Sequence, residues 1–212
     1  MKITRFQFNM LPVNCYVLWD PDSRECAIVD AGCYYSKEEE TLAHFIDDNR
    51  LVVKYLLATH LHFDHCFGNA FVARQYGVKL MASRDDEFLL PYMAQQAQIF
   101  GITFKGEIEP IGQYIGHGTT FTLGQEEMQA IAVPGHSPGS LAFYAPESGF
   151  VLSGDALFQM SIGRTDFPGG NHRQLIESIR KNLLTLPPET VVYPGHGPDT
   201  EIGLERNDNP FL

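Results

Sequence analysis

At 212 residues, with 44% apolar and 12% aromatic side chains, the chain has room for one large domain or two small ones and for a sizeable core. Its 26 acidic residues against 15 basic ones give a net charge of -11. No basic run stands out, which argues against a nucleic-acid partner, because phosphate binding rests on concentrated positive surface. Met1-Lys2-Ile3-Thr4-Arg5-Phe6 lacks a signal-peptide apolar core, and no segment approaches the roughly 20 apolar residues of a membrane span. The expectation is a cytoplasmic protein with no membrane partner.

The predicted elements begin with strand-like alternation from Ile3 to Phe8, then a strand over Asn14–Trp19, a turn at Pro21-Asp22-Ser23 and a return strand over Cys26–Val29 that Asp30-Ala31-Gly32 ends. Ser36-Lys37-Glu38-Glu39 reads as a capping box, and Leu42, Phe45 and Ile46 follow at helical spacing, which predicts a helix over 37–49. Tyr55–Ala58 reads as a buried strand. A helix carrying Phe67, Ala70, Phe71 and Arg74 stops at Gly77, and Val78–Ala82 is a further strand. Residues 84–100 look helical, with a mixed apolar face. Gln129–Val133, Leu141–Tyr144 and Phe150–Leu152 read as strands. Leu175, Ile176, Ile179 and Leu183 mark a late helix ended by Pro187-Pro188, and Thr190–Tyr193 is the last clear strand. Strands outnumber helices and many are joined by hairpin-length turns, which favours two packed sheets with helices outside over a doubly wound parallel sheet. Cys15, Cys26, Cys33 and Cys66 are irregularly spaced and contain no Cys-x-x-Cys pair, so free buried thiols are expected. Cys66 adjoins His65, but a small buried apolar role suits it better than metal binding.

Thr59-His60-Leu61-His62-Phe63-Asp64-His65 places three imidazoles and a carboxylate within six residues, directly after an apolar strand. Packing has no use for such a set, whereas divalent metal binding does. Three further candidates share one local design. His136 follows its strand across a Pro-Gly step, Asp155 follows Ser153-Gly154, and His196 follows its strand across another Pro-Gly. A sharp turn with close backbone approach is what glycine permits, and functional groups collect on loops at the carboxyl ends of strands. Each position alone is weak evidence, since a lone strand-end His is more often a satisfied buried imidazole. Seven candidates at four strand ends point to two divalent ions. His60, His62 and His136 would take one, Asp64, His65 and His196 the other, and Asp155 would bridge. Zinc is the first expectation, with iron or manganese as alternatives. A shared water would have its pKa lowered from about 15.7 towards 7, giving hydroxide at neutral pH for attack on a carbonyl. No Gly-x-Ser-x-Gly elbow competes. Asp64 and Arg164 are the candidate catalytic residues. Arg164 would either bind an anionic substrate group or orient a neighbouring loop. Asp166 would either orient a ligand His or cap a turn. His44, His117 and His172 lack partners in sequence and are read as surface or structural.

These motifs resemble the metallo-β-lactamase superfamily: Thr59-His60-x-His62-x-Asp64-His65, Pro134-Gly135-His136-Ser137, Ser153-Gly154-Asp155-Ala156 and Pro194-Gly195-His196-Gly197. Gly163-Arg164-Thr165-Asp166-Phe167-Pro168-Gly169-Gly170 and the terminal Glu205 to Leu212 stretch are similar to a small glyoxalase II-like subgroup. The resemblance covers essentially the whole chain. It implies an α/β fold, a four-layer αββα sandwich with two mixed sheets and outer helices, in one domain over 1–212. It also implies a dinuclear site between the sheets and hydrolysis of thioesters of the S-D-lactoylglutathione type, with a small-molecule substrate and a monomer or homodimer. The β-lactamase subclass best known for resistance has Cys where this chain has Asp155, so lactam cleavage is not expected. Full-length glyoxalase II carries a helical C-terminal domain that helps hold glutathione, which this chain does not match. Material around 84–109 would form a lid, a dimer contact or ordinary core. The alternatives are a mononuclear Fe(II) persulfide dioxygenase using His60, His136 and Asp155, a lactonase or phosphodiesterase of the same fold, and a metal-binding module without catalysis.

Overall fold

Two six-stranded sheets pack face to face in the computed structural model, which describes residues 1–212. The first contains β1 (Lys2–Phe8), β2 (Val13–Trp19), β3 (Glu25–Val29), β4 (Val52–Leu57), β5 (Leu80–Ala82) and β6 (Ile111–Tyr114), in that spatial order. The β1/β2 and β2/β3 pairs are antiparallel; β3 to β6 run parallel. The second sheet is built from β7 (Thr120–Leu123), β8 (Glu126–Ala132), β9 (Leu141–Ala145), β10 (Phe150–Gly154), β13 (Val191–Pro194) and β14 (Thr200–Glu201). It is antiparallel except for the β10/β13 pair. A two-stranded ribbon, β11 (Leu157–Phe158) with β12 (Ser161–Ile162), follows Asp155.

The period-2 alternation of side chains along a strand sorts the core into three layers. On β2, Tyr16 and Leu18 face the second sheet, where they join Phe121, Met128, Phe143 and Leu152. Cys15, Val17 and Trp19 face outward onto α1 (Ser36–Asp48), α2 (Asn69–Tyr76) and α3 (Met93–Ile99), through Leu42, Ile46, Val72 and Met93. Behind the second sheet, Ala142, Val151 and Val192 pack on α4 (His172–Ser178), the π-turn Ile179–Leu183 and α5 (Ile202–Asp208), through Leu175, Ile179, Leu183 and Ile202. Helix, sheet, sheet and helix form the expected four layers. All four cysteines are free and buried, and burial pushes each thiol up, Cys26 to about 12. No helix is long and apolar enough to cross a membrane.

Some local expectations need correction. The cap of α1 sits one residue earlier than the Ser36 box: Tyr35 is the N-cap, and the Glu38 carboxylate accepts from the backbone N–H groups of Asn9, Tyr34 and Tyr35. Those three donors outbid the reciprocal bond a Ser36 box would make. The 84–100 stretch is not one helix. Pro91 cannot donate an intrahelical bond, and a 3-10 segment over Arg84–Tyr92 gives way to α3. Likewise α4 passes at Ile179 into a π-turn rather than running on. Strands β6 and β7 and helix α5 were not expected.

One end of the sandwich is closed by bonds between the sheets. Asn14 N–H donates to the Gly195 carbonyl at 2.7 Å, and Leu141 N–H to the Thr59 carbonyl at 2.8 Å. The Tyr16 hydroxyl and the Asn14 amide both donate to the Pro194 carbonyl. The strand ends carrying His60, His136, Asp155 and His196 are thereby held over one cleft.

Candidate metal centre

β4, β8, β10 and β13 each stop at the cleft and hand over to a ligand-bearing loop. The loop after β4 makes a single 3-10 turn over Phe63–His65, which turns Asp64 and His65 to the same side as His60. Gly154 has φ +52, and a Cβ there would lie 2.6 Å from Thr59 Oγ1. A Cβ on Gly195 would collide with the Asp155 carboxylate. Both glycines are the cost of bringing two loops into contact.

All seven predicted donors converge. His62 Nδ1 and His136 Nε2 are 2.8 Å apart, and His136 Nε2 lies 3.6 Å from Asp155 Oδ2. His60, His62 and His136 form one donor cluster; Asp64, His65 and His196 form a second. His196 Nε2 lies 3.4 Å from Asp64 Oδ2 and 3.6 Å from Asp155 Oδ2, while His65 Nε2 is 3.5 Å from Asp155 Oδ1. Asp155 therefore touches both clusters, as a bridge must.

Hydrogen bonds on the far ring nitrogens orient three imidazoles. His136 Nδ1 donates to the Arg164 carbonyl at 2.7 Å. His65 Nδ1 lies 3.1 Å from Asp30 Oδ2. His60 Nδ1 lies 3.0 Å from the Thr59 hydroxyl, which itself donates to Asp30 at 2.7 Å. The atom left facing the cleft on all three is Nε2, which offers a lone pair when the ring is neutral with its proton on Nδ1. Such outer partners are what fix a ligand's tautomer. His60 Nε2 is buried without any hydrogen-bond partner, as is Asp155 Oδ1. Orphaned buried acceptors are costly, and a cation between them is the group that would satisfy them. The residues fit two divalent ions.

Electrostatics agree. Burial, with His65, His62 and His136 nearby, holds the His60 imidazole well below its usual range, and burial with His136 brings His62 to about 3. Both are neutral donors at pH 7. Burial would raise Asp155 and Asp64, but the neighbouring His65 and His196 outweigh it and keep both carboxylates ionised. Burial would lower His65, yet Asp155, Asp64 and Asp30 together hold it well above the usual imidazole range. His196 is raised for the same reason, chiefly by Asp155 against burial. Without a cation these histidines keep protons that offset the carboxylates; a divalent ion would do the same and release them.

Two positioning residues lay outside the sequence reading. Asp30 is buried and accepts from Thr59 N–H, the Thr59 hydroxyl and His65. It also lies within reach of His60 and His65 as a third donor cluster, but its oxygens are already taken by these bonds. Asp86 is fully buried; it accepts from Leu61 N–H at 3.1 Å, the Ser137 hydroxyl at 2.7 Å and Gly139 N–H at 2.6 Å. It thus ties the His60–His65 loop to the His136 loop. Asp30 directly follows β3, and Asp86 sits among acidic neighbours in the 3-10 segment, so neither stood out in the sequence. The Glu205 carboxylate accepts from Met160 N–H, and Asn209 donates to the Ser161 carbonyl, so the terminal motif props the ribbon beside Asp155.

The Arg164 guanidinium makes a two-pronged ion pair with Asp166, at 2.9 and 2.7 Å, and stacks on the Phe167 ring. It is the Arg164 backbone carbonyl, not Asp166, that orients His136. The expectation that Asp166 orients a ligand His or caps a turn gives way to this pairing. His44, His117 and His172 are exposed, as expected. A cavity of about 640 Å3 opens above the centre. His62, Asp64, His136, Asp155 and His196 line its floor, and the 84–100 segment forms one wall.

A family model of the metallo-beta-lactamase superfamily matches residues 9–196. The hydroxyacylglutathione hydrolase GloC of Haemophilus influenzae is 38% identical, over 100% of this chain and 96% of its own. Among solved structures, the BLEG-1 B3 metallo-beta-lactamase superposes with a TM-score of 0.90 at 32% identity, covering 100% of this chain and 99% of that one. TTHA1623 in a di-iron-bound form gives 0.87 at 34%, covering 99% and 100%. ETHE1 from Myxococcus xanthus gives 0.78 at 25%, covering 99% and 84%.

Proposed function

This chain belongs to the metallo-beta-lactamase superfamily of metal-dependent hydrolases, and from that premise we propose that it is a dinuclear enzyme that hydrolyses thioesters of the S-D-lactoylglutathione type. The observation that carries the reading is the convergence of seven donors into two clusters sharing Asp155. His60, His62, His136 and Asp155 would hold one ion; Asp64, His65, His196 and Asp155 the other. Bound ions of this kind lower the pKa of a water and polarise an acyl carbonyl.

The chain's own residues then have defined tasks. Asp64, ionised and only slightly exposed, accepts a hydrogen bond from the attacking water and takes up its proton. Water oxygen bonds to the acyl carbon, the carbon–sulfur bond breaks, and the proton passes to the departing thiolate. Asp30 and the Arg164 carbonyl keep His65 and His136 in register throughout. The Arg164 side chain stands at the cavity with its charge paired to Asp166. The substrate is a small molecule reached from solvent, and the protein acts in the cytoplasm as a monomer or homodimer.

Metal analysis beside two assays tests this. Two zinc, iron or manganese ions per chain with thioester hydrolysis are expected. One iron per chain with persulfide-dependent oxygen uptake would reverse the reading in favour of a dioxygenase. The ETHE1 likeness and Gly163–Phe167 favour that second reading; the complete Asp64-His65-His196 cluster favours the first. A β-lactam is expected to be a poor substrate.

A further inference from the structure

The cavity above the donors is chemically one-sided. Phe88, Tyr92, Ile99, Phe100, Phe158 and Phe167 line its walls. Several of these are unusually open to solvent for large apolar groups, Ile99 at 78% and Tyr92 at 55%. An exposed apolar patch of this kind marks a binding groove or an interface. Here it is continuous with the donor set. Phe63 and Phe100 lie 5.4 Å apart, Phe100 and Phe167 6.3 Å, and Phe167 meets His62 edge-on at 5.0 Å. The aromatic column therefore ends at a donor residue, where the scissile carbonyl would sit.

Outside the donor set, the one charged side chain lining the cavity is Arg164, and Asp166 already neutralises it. The remaining polar lining comes from Gln95, Gln96 and Ser161. The tripeptide arm of a glutathione thioester carries two carboxylates and an ammonium group. Apart from Arg164, whose guanidinium is held by Asp166, no side chain of this wall would pair with the carboxylates. Burying an unpaired charge is disfavoured far more than burying alkyl or aryl surface.

We infer that this cavity selects a thioester with an uncharged alkyl or aryl arm, laid along Tyr92, Ile99 and Phe100, over the charged glutathione conjugate. The inference rests on the hydrolase reading only for the reaction; the arm's chemistry is carried by the wall.

The experiment uses S-D-lactoyl thioesters of n-alkanethiols from ethyl to decyl beside S-D-lactoylglutathione, on metal-loaded enzyme. Burial of one methylene corresponds to about a three- to fourfold gain, so kcat/KM is expected to climb by about that factor per CH2 until the wall is covered. Ile99→Asp and Tyr92→Ser should flatten the climb. Both side chains are largely exposed, so neither variant threatens the fold. A profile independent of chain length, with S-D-lactoylglutathione preferred tenfold or more, would overturn the inference. Calorimetry with the matching thioethers, which cannot be hydrolysed, separates it from the reaction. Affinity that rises with alkyl length and falls in Ile99→Asp supports the inference even if every thioester is inert, an outcome that sinks the hydrolase reading alone. Affinity indifferent to length overturns the inference whatever the activity.

Discussion

At the cavity floor, the loops that carry donors are tied to one another by buried hydrogen bonds: Asp30 holds Thr59 and His65, Asp86 holds Leu61, Ser137 and Gly139, and the Arg164 carbonyl holds His136. The wall over 84–100 is built otherwise. It is a 3-10 segment interrupted by Pro91 and a two-turn helix, and it turns Phe88, Tyr92, Ile99 and Phe100 towards solvent. The floor is polar and cross-linked by hydrogen bonds; the wall is anchored in the core by Leu89, Met93 and Ala97 but presents an apolar, open face to the cavity. A hydrolytic centre needs donors fixed to within a fraction of an ångström, whereas an apolar arm needs only surface. The division implies that reaction and substrate choice reside in separable parts of the molecule.

The strongest way to break the comparison is Asp155→Ala. It removes the one carboxylate that reaches both clusters, so both ions should be lost and turnover should fall to background. Far-UV circular dichroism should stay near that of the parent, because the side chain packs against donors and not against the core. Two bound ions and measurable turnover in this variant would refute the bridge. His62→Ala should also abolish turnover, through one cluster.

Next in size is Asp30→Asn, which acts on the floor alone. Its amide still accepts on one side but offers no charge to His65. Loss of such an outer partner typically lowers metal affinity by about 10- to 100-fold. Competition with a chelator would read the change, and chain-length preference should be untouched. Asp86→Ala sharpens the boundary from the other side, since Asp86 belongs to the wall segment yet bonds the floor. It strands the Leu61 and Gly139 N–H groups and leaves the Ser137 hydroxyl only Ser140 as a partner. Bonds to a charged group contribute about 1.5–3 kcal/mol each, so the midpoint of denaturation should fall measurably and activity should drop with it. If activity fell with stability unchanged, Asp86 would be acting on the site rather than joining its two parts.

The same division explains what could be read from the residues. The donors were legible because imidazoles and carboxylates at strand ends, next to Pro-Gly steps, have few structural uses. β2 and β3 were legible as apolar runs because both faces of each strand are buried, one on the other sheet and one on the helices. Asp30 and Asp86 were not, because their partners lie up to 35 and up to 53 residues away; an Asp after a strand reads as a turn, and an Asp in an acidic run reads as solvated surface. The wall was misread as one helix because its apolar residues repeat at nearly helical spacing, while Pro91 lacks the N–H such a helix needs. β7 was passed over although Phe121 and Leu123 alternate with threonines, since four residues give period-2 patterning little weight.

The smallest expected effect asks most of the comparison. Arg164 is exposed and its charge is spent on Asp166, an ion pair of the kind worth about 0.2–1 kcal/mol at a surface. Asp166→Asn should therefore cost little stability and leave the floor intact, because His136 is oriented by a backbone carbonyl that the substitution does not touch. What changes is the wall, which acquires an unpaired guanidinium beside Phe167. At a separation of about 4 Å in a largely aqueous setting, such a charge offers an anionic arm about 1 kcal/mol, or roughly fivefold in affinity. The expected result is a fall of a few-fold in KM for S-D-lactoylglutathione, weakened by salt, with no change for a neutral thioester. An equal change for both substrates would place Arg164 at the reacting carbonyl instead, and would move the border between floor and wall.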